Sequence, residues 1–252
     1  YIEAYRSEFL IEGKVHEKRL AEGKTDKFID RGQSKPYLSL GIRACEEVIR
    51  LGIPHAKLDE IYYFLGVNYD ELENEKQAIR YFNLLIQKFP SSPYAGEAHR
   101  ALAESAYGKQ KFKEALSHYQ IAIRNYQGSS MPRLLQKMAW TQYRLRQYDR
   151  AVATMKEAIS KASTDNRFLN LKDEALRDMA LFMTESGKVE EALAYFKSVG
   201  GDKDFYPATL ERLGAQYERS AEPKKAIQVY ESLLKTNPTD DASFRVRVKL
   251  FE

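Results

Sequence analysis

The chain has 252 residues, 43% of them hydrophobic, and 40 Lys and Arg against 36 Asp and Glu give a net charge of +4. That apolar content suffices for a core, and the charge is too small for a disordered chain. The single cysteine, Cys45, excludes an internal disulfide and a cysteine-built zinc site, and no apolar run nears the roughly 18 residues of a membrane span.

Only 13 Gly and 8 Pro are present, which disfavours a turn-rich β protein and favours helices. The chain starts at Tyr1 and not at Met, as expected of a processed form or a segment of a longer protein. Residues 1–22 place Tyr1, Ile2, Tyr5, Phe9 and Leu10 on one expected helix face. Gly23 to Pro36 is polar and holds several turn formers, and reads as a long loop. Residues 37–53 read as a second helix, because Gly41-Ile42-Arg43, Val48-Ile49 and Ile53-Pro54 echo a pattern that recurs downstream as Ala78-Ile79-Arg80, Leu85-Ile86 and Phe89-Pro90. Residues 1–58 are thus a degenerate entry unit.

From Asp59 the sequence repeats. Tyr62, Leu65-Gly66, Tyr69, Ala78, Phe82, Leu85 and Pro90 return at the same spacing as Leu210, Leu213-Gly214, Tyr217, Ala226, Tyr230, Leu233 and Pro238. Three weaker copies lie between them, anchored on Ala115, Ala151 and Ala192, so the five alanines are 37, 36, 41 and 34 residues apart. In each copy the first segment carries a small residue (Gly66, Ala103, Ala139, Ala180, Gly214) where a partner helix must pass closely. Apolar residues at spacings of three and four, as in Ala78, Phe82, Leu85, Ile86 and Phe89, define one helix face. Short turns are expected at Glu73–Glu75, Gly108–Lys111, Arg146–Tyr148, Ser186–Lys188 and Ser220–Pro223. The connection at Ser163–Phe168 is longer. Phe244, Val248 and Phe251 keep first-helix spacing after Pro238, so residues 241–252 read as a closing or truncated helix.

These residues resemble the tetratricopeptide repeat family, whose unit is a helix-turn-helix of about 34 residues. The resemblance covers about residues 59–238 and implies an all-α, right-handed superhelical solenoid with units at 59–95, 96–131, 132–172, 173–206 and 207–240. The linker Phe89-Pro90-Ser91-Ser92-Pro93-Tyr94-Ala95-Gly96-Glu97-Ala98 is similar to those of bacterial envelope members of the family, such as outer-membrane-assembly lipoproteins and periplasmic coordinators. That likeness spans roughly residues 78–122 and implies a periplasmic or outer-membrane-associated scaffold, with the cytoplasm as the alternative.

Signals for catalysis are weak. His16, His55, His99 and His118 show no metal-ligand spacing, and no HExxH, P-loop, GxGxxG or GxSxG string occurs. Cys45, among Ile42, Val48 and Ile49, reads as a buried thiol. Pairs such as Asp70-Glu71 and Glu190-Glu191 fall at expected helix ends, where a solvated role suffices. The chain therefore reads as a non-enzyme without a cofactor or metal.

The family resemblance implies a concave groove lined by first helices, of the kind that binds peptides or partner domains. Glu60, Tyr63, Val67 and Asp70 would face it from the first unit, and Glu97, Arg100, Glu104 and Tyr107 from the second. Arg133, Gln136, Trp140 and Tyr143 follow, then Glu174, Arg177, Leu181 and Thr184, then Ala208, Glu211, Ala215 and Glu218. The expected partner-binding residues are Tyr63, Arg100, Tyr107, Arg133, Trp140, Tyr143, Arg144 and Arg177, rich in the aromatic and arginine side chains that dominate interfaces. Trp140, the only tryptophan, has packing against a neighbouring first helix as its other reading. The family's carboxylate clamp is not matched, because its places hold Tyr63, Val67 and Ala101.

Charge is uneven. Residues 59–104 carry eight acidic and four basic side chains, whereas 105–150 carry two acidic and nine basic ones. The run from Lys109 to Arg150 could favour an acidic partner, with a solvated face as the plainer reading. No nucleic-acid-binding module is recognisable. A regulatory or targeting domain cut from a larger enzyme or signalling protein, and self-association through the ends of the solenoid, are the alternative functions.

Overall fold

A computed structural model describes residues 2–22, 32–52, 56–125, 130–199, 205–239 and 241–251. Among them the chain is helical without strands and divides into two compact units, Tyr1–Lys109 and Gln110–Glu252.

The first unit holds α1 (Ile2–Ala21), α2 (Lys35–Arg50), α3 (Leu58–Glu71), α4 (Glu75–Lys88) and α5 (Ala95–Gly108), each packed on the next. α2 begins two residues earlier than its sequence pattern suggests, because Pro36 sits in its first turn, where a missing N–H costs nothing. Within α1, Tyr5 stacks on Phe9 at 5.8 Å, but Leu10 is 64% exposed. Leu10 follows Phe9 by one residue, about 100° around the helix, so it cannot share that face. Tyr1 and the side chain of Ile2 lie outside the described residues, as do residues 23–31 of the expected loop. The core joins Ile42 of α2 to Tyr62 and Leu65 of α3, Ala78, Phe82 and Leu85 of α4, and Ala98 and Leu102 of α5. Gly66 lets the Phe82 ring lie against the α3 backbone: a Cβ there would meet the ring at 2.5 Å. Glu46 ties three helices together by accepting from the hydroxyls of Tyr69 (2.7 Å) and Tyr81 (2.8 Å), whose rings stack at 5.6 Å.

The second unit holds α6 (Phe112–Asn125), α7 (Met131–Arg144), α8 (Tyr148–Ala162), α9 (Leu169–Ser186), α10 (Val189–Val199), α11 (Phe205–Arg219), α12 (Pro223–Thr236) and α13 (Asp241–Phe251). The longer connection before α9 contains a short 3-10 turn, Asn166–Phe168. α7 packs along α8, α8 against α9, α9 against α11, and α11 along α12; α13 rests on α11 and α12. One core runs through them, from Leu135 and Ala139 through Met155, Met179, Phe182 and Phe196 to Leu213, Tyr217, Tyr230 and Val246. Gly214 repeats the role of Gly66, with Tyr230 in place of Phe82.

The turns inside the helix pairs share one geometry. Glu73, Gln110, Arg146, Gly187 and Ala221 all have positive φ, between 56° and 72°, and each lies five residues before its repeat alanine. At three of them the hydrogen bonds are those of a Schellman motif: Glu73 N to Asp70 O and Asn74 N to Tyr69 O, for example, recur as Arg146 N to Tyr143 O and Gln147 N to Gln142 O, and at Ala221–Glu222. The left-handed residue is glycine only at Gly187.

Candidate functional site

In the first unit, α3, α4 and α5 enclose a cleft of ≈ 320 Å³. α3 contributes Tyr63, Val67, Asp70 and Glu71, α5 contributes Glu97, Arg100, Ala101, Glu104 and Ser105, and Glu75, Ala78, Ile79 and Phe82 come from α4. Tyr63, Val67 and Asp70, like Glu97, Arg100, Ala101 and Glu104, follow one another by three or four residues, so each helix turns a single stripe to the opening. Of the residues expected to meet a partner, Tyr63 and Arg100 come together here, with the groove positions Val67, Asp70, Glu97 and Glu104. Tyr63 stacks on Tyr94 with centroids 4.7 Å apart and leans on Phe82 at 6.4 Å.

The electrostatics of this cleft are lopsided. Five carboxylates and one guanidinium line it. Arg100 is pinned between Glu97 (Nε to Oε2, 2.6 Å) and Glu104 (Nη1 to Oε1, 2.9 Å). Burial alone would lower its pKa, but the two carboxylates outweigh that and hold it above the ordinary arginine value. Glu75 accepts from Ser105 (2.7 Å) and pairs with Lys109 (2.9 Å), contacts that hold its carboxyl below the usual range. Glu71 accepts from the Tyr5 hydroxyl at 3.2 Å. Asp70 differs from them. Desolvation, then the nearby charges of Glu71 and Glu104, push its pKa up, and Arg100 offsets this only in part. Asp70 and Glu71 also close the last turn of α3, where the helix dipole disfavours negative charge. The pair is exposed at the end of α3, as the solvated helix end the sequence implies, and it also borders the cleft, joined by Glu75 and Ile79 from α4.

The second unit carries an aromatic cluster. Trp140 of α7 meets Phe182 of α9 edge-on at 5.0 Å and Tyr143 at 5.5 Å, while Tyr143 stacks on Phe182 at 4.8 Å. The Trp140 indole N–H donates to Asp178 Oδ2 at 2.8 Å, and the Gln136 amide donates to the same oxygen at 3.3 Å. Burial raises the Asp178 pKa, and the two donors pull it back. Trp140 thus packs on the neighbouring first helix, half-buried and with its indole N–H engaged. Asp178 was not singled out by sequence. The only available signal is its place two residues before the small residue Ala180, and nothing in the repeat assigns that place a carboxylate.

The other expected contacts are dispersed. Tyr107 is half-buried on α5 of the first unit and is not part of the cleft wall. Arg133, Arg144 and Arg177 are exposed on the second unit, Arg144 with its guanidinium 4.8 Å from the Phe112 ring centre. Within the basic run, Lys111 pairs with Glu114 at 3.3 Å, and Arg150 reaches the Gln147 side chain at 3.4 Å. Cys45 is half-buried, and burial followed by the Glu46 charge pushes its thiol up. Among the described residues no group of three or more His, Cys, Asp or Glu is placed to hold a metal ion, and no helix is long and apolar enough to cross a membrane.

Residues 61–180 match a family described as a tetratricopeptide repeat-like domain. No curated protein matches the chain. Among solved structures it is similar to YrrB, a TPR protein with an unusual peptide-binding site, at 16% identity over 74% of this chain and 90% of that one, with a TM-score of 0.49. MamA is similar at 13% identity, covering 70% of this chain and 90% of its own, with a TM-score of 0.49. BtubC from P. vanneervenii is similar at 16% identity, covering 84% and 90%, with a TM-score of 0.48. The paired helices and the small residues that admit aromatic rings agree with the match of residues 61–180 to a tetratricopeptide repeat-like domain, an all-α fold whose general use is as a protein-interaction scaffold.

Proposed function

We propose that this protein is a non-catalytic scaffold that holds a peptide or partner domain in the cleft of α3, α4 and α5, within a bacterial multiprotein complex at the cell envelope. The observation that carries the reading is the cleft itself, where the stacked Tyr63, together with Val67, Ala101 and Phe82, supplies apolar wall and Arg100 with its flanking carboxylates supplies polar rim. Apolar surface ringed by charge is the anatomy of a recognition patch. The linker Phe89–Ala98 supports the envelope setting. Replacing Ala101 by Trp fills the cleft from a half-exposed helix position. Folded A101W protein should lose the native partner in affinity capture; unchanged retention removes the cleft from the account.

On the second unit, the exposed Arg133, Arg144 and Arg177 and the basic residues from Lys111 to Arg150 are the proposed contacts for an acidic partner segment, with Trp140 and Tyr143 as apolar anchors. Capture by a W140A/Y143A double variant tests this, and full retention would sink it. One observation favours self-association as a second reading: α13 buries Ala242 and Val246 yet leaves Phe244 67% and Val248 46% exposed. A light-scattering concentration series should then show dimer in the wild type and monomer for Phe244→Glu; monomer throughout eliminates it.

A further inference from the structure

The charges of the α3–α5 cleft select among occupants, an inference that rests on the cleft being the partner site. Most of its polar groups are already committed. Glu97 and Glu104 hold Arg100, Glu75 holds Ser105 and Lys109, and Glu71 accepts from Tyr5. The Asp70 carboxylate has no hydrogen-bond or salt-bridge partner among the described residues. It stands on the α3 stripe with Val67 one turn before it and Tyr63 a turn further back, so an unmatched anion sits at the end of an apolar wall with an aromatic ring at the other.

We propose that this cleft takes an extended, lysine- or arginine-bearing segment of a partner protein, one cationic side chain meeting Asp70 while its aliphatic stem lies along Val67 and Ala101 toward the Tyr63 ring. Long basic side chains combine these needs, because they bury a methylene stem against apolar surface and keep a charge at the tip. The aromatic ring adds a second attraction for a cation. An acidic segment would instead bring like charge to a wall of five carboxylates facing one guanidinium. A neutral apolar segment would desolvate Asp70 without giving it a partner. The volume of ≈ 320 Å³ lies at the small end of the range of about 300–1,000 Å³ for ligand pockets, which suits side chains of a strand-like segment.

The test uses the full chain and short fluorescein-labelled peptides of one apolar sequence, carrying lysine, glutamine or glutamate at the same positions, followed by fluorescence anisotropy. The lysine peptide should bind about 10-fold more tightly than the glutamine peptide, the scale of one charge-assisted hydrogen bond, and the glutamate peptide more weakly than either. The lysine preference should shrink as salt rises. Asp70→Asn should remove the preference without lowering the melting temperature, because it removes a charge disfavoured by desolvation and then by Glu71 and Glu104; melts run beside the binding assay separate loss of binding from unfolding. Equal or tighter binding of the glutamate peptide, or a preference that survives Asp70→Asn, overturns the inference. If all three peptides bind alike and A101W abolishes them, the cleft remains the partner site and the cationic selection is wrong. If none binds, both readings fall.

Discussion

Gly214→Ala isolates the contact on which the helix pairs depend. In an exposed helix this change would gain roughly 0.5–1 kcal/mol, because alanine gives up less backbone entropy. Here the new Cβ would lie 2.6 Å from Cζ and 2.7 Å from Cδ1 of Tyr230, with Cε1 closer still. Tyr230 is only 1% exposed, so its ring has no room to swing aside and the backbones of α11 and α12 must part. Overpacking of this kind costs about 1–3 kcal/mol, occasionally more, and three ring atoms within 3 Å place it at the upper end. Once the propensity gain is subtracted, the net loss is about 2 kcal/mol, or roughly 4–8 °C at 2–4 °C per kcal/mol for a chain of this size. Thermal melts followed by far-UV circular dichroism measure it. The repeat supplies its own rescue: sixteen residues after Ala139 stands Met155, the same separation as Gly214 and Tyr230. Gly214→Ala combined with Tyr230→Met should thus recover most of the loss, since a flexible thioether can fit around a Cβ. A single variant at least as stable as wild type, or a double variant no better than the single, would refute the close-packing argument.

Removing the Asp178 side chain with Asp178→Ala leaves the Trp140 indole and the Gln136 amide without their shared acceptor and should cost about 1–3 kcal/mol, with a shift in the emission of the only tryptophan. Asp178→Asn keeps an acceptor and removes a charge that burial disfavours, so it should stay near wild type; equal losses in the two variants would show that the hydrogen bond does not matter. For Asp70, the folded pKa lies above the unfolded one, so the folded state binds its proton more readily and the ionised carboxyl costs stability above the folded pKa. That cost vanishes as pH falls through the folded pKa toward about 4, the unfolded value. The stabilisation given by Asp70→Asn should accordingly be present at neutral pH and fade on acidification, and a pH-independent difference in melting temperature would contradict this. At the left-handed turn positions, Gly187→Ala should lose about 1–2 kcal/mol, whereas Ala221→Gly, at φ 56°, should be neutral or stabilising in the same melts. The reverse ordering would show that these turns are not strained.

The repeat made the helices legible because each alanine, aromatic and glycine marks a contact dictated by backbone approach. Gly66 and Gly214 are readable as places where a partner helix passes closely, but only the packing shows that Phe82 and Tyr230 fill them, and Tyr62, Tyr119, Tyr217 and Tyr230 are buried as packing residues should be. Tyr69 fits less simply: it is half-buried, with its hydroxyl on Glu46. Helix ends were less legible where a turn residue can serve either neighbour, as at Lys35 and Pro36. The positive-φ turns could be placed but not typed, because four of the five carry no glycine. Side-chain partnerships across repeats were opaque. The separation of 38 between Trp140 and Asp178 matches no repeat spacing, and nothing in the sequence sets Asp178 apart from neighbours such as Asp173 and Glu174. The acidic excess of residues 59–104 was visible as a sum, but only the packing of α3, α4 and α5 shows that Asp70, Glu71, Glu75, Glu97 and Glu104 converge on one cleft. Tyr63, Trp140 and Tyr143 looked free for a partner, and each spends part of its ring on a neighbouring aromatic.

The most direct test of the cleft as the partner site is photo-crosslinking from a benzoylphenylalanine placed either at Val67 on the cleft wall or at the exposed Asn83 of α4, with the lysine peptide as probe. Adducts should form from position 67 and be suppressed by Asp70→Asn, while position 83 stays unlabelled. Equal labelling from both positions, or labelling at 83 alone, would contradict the account.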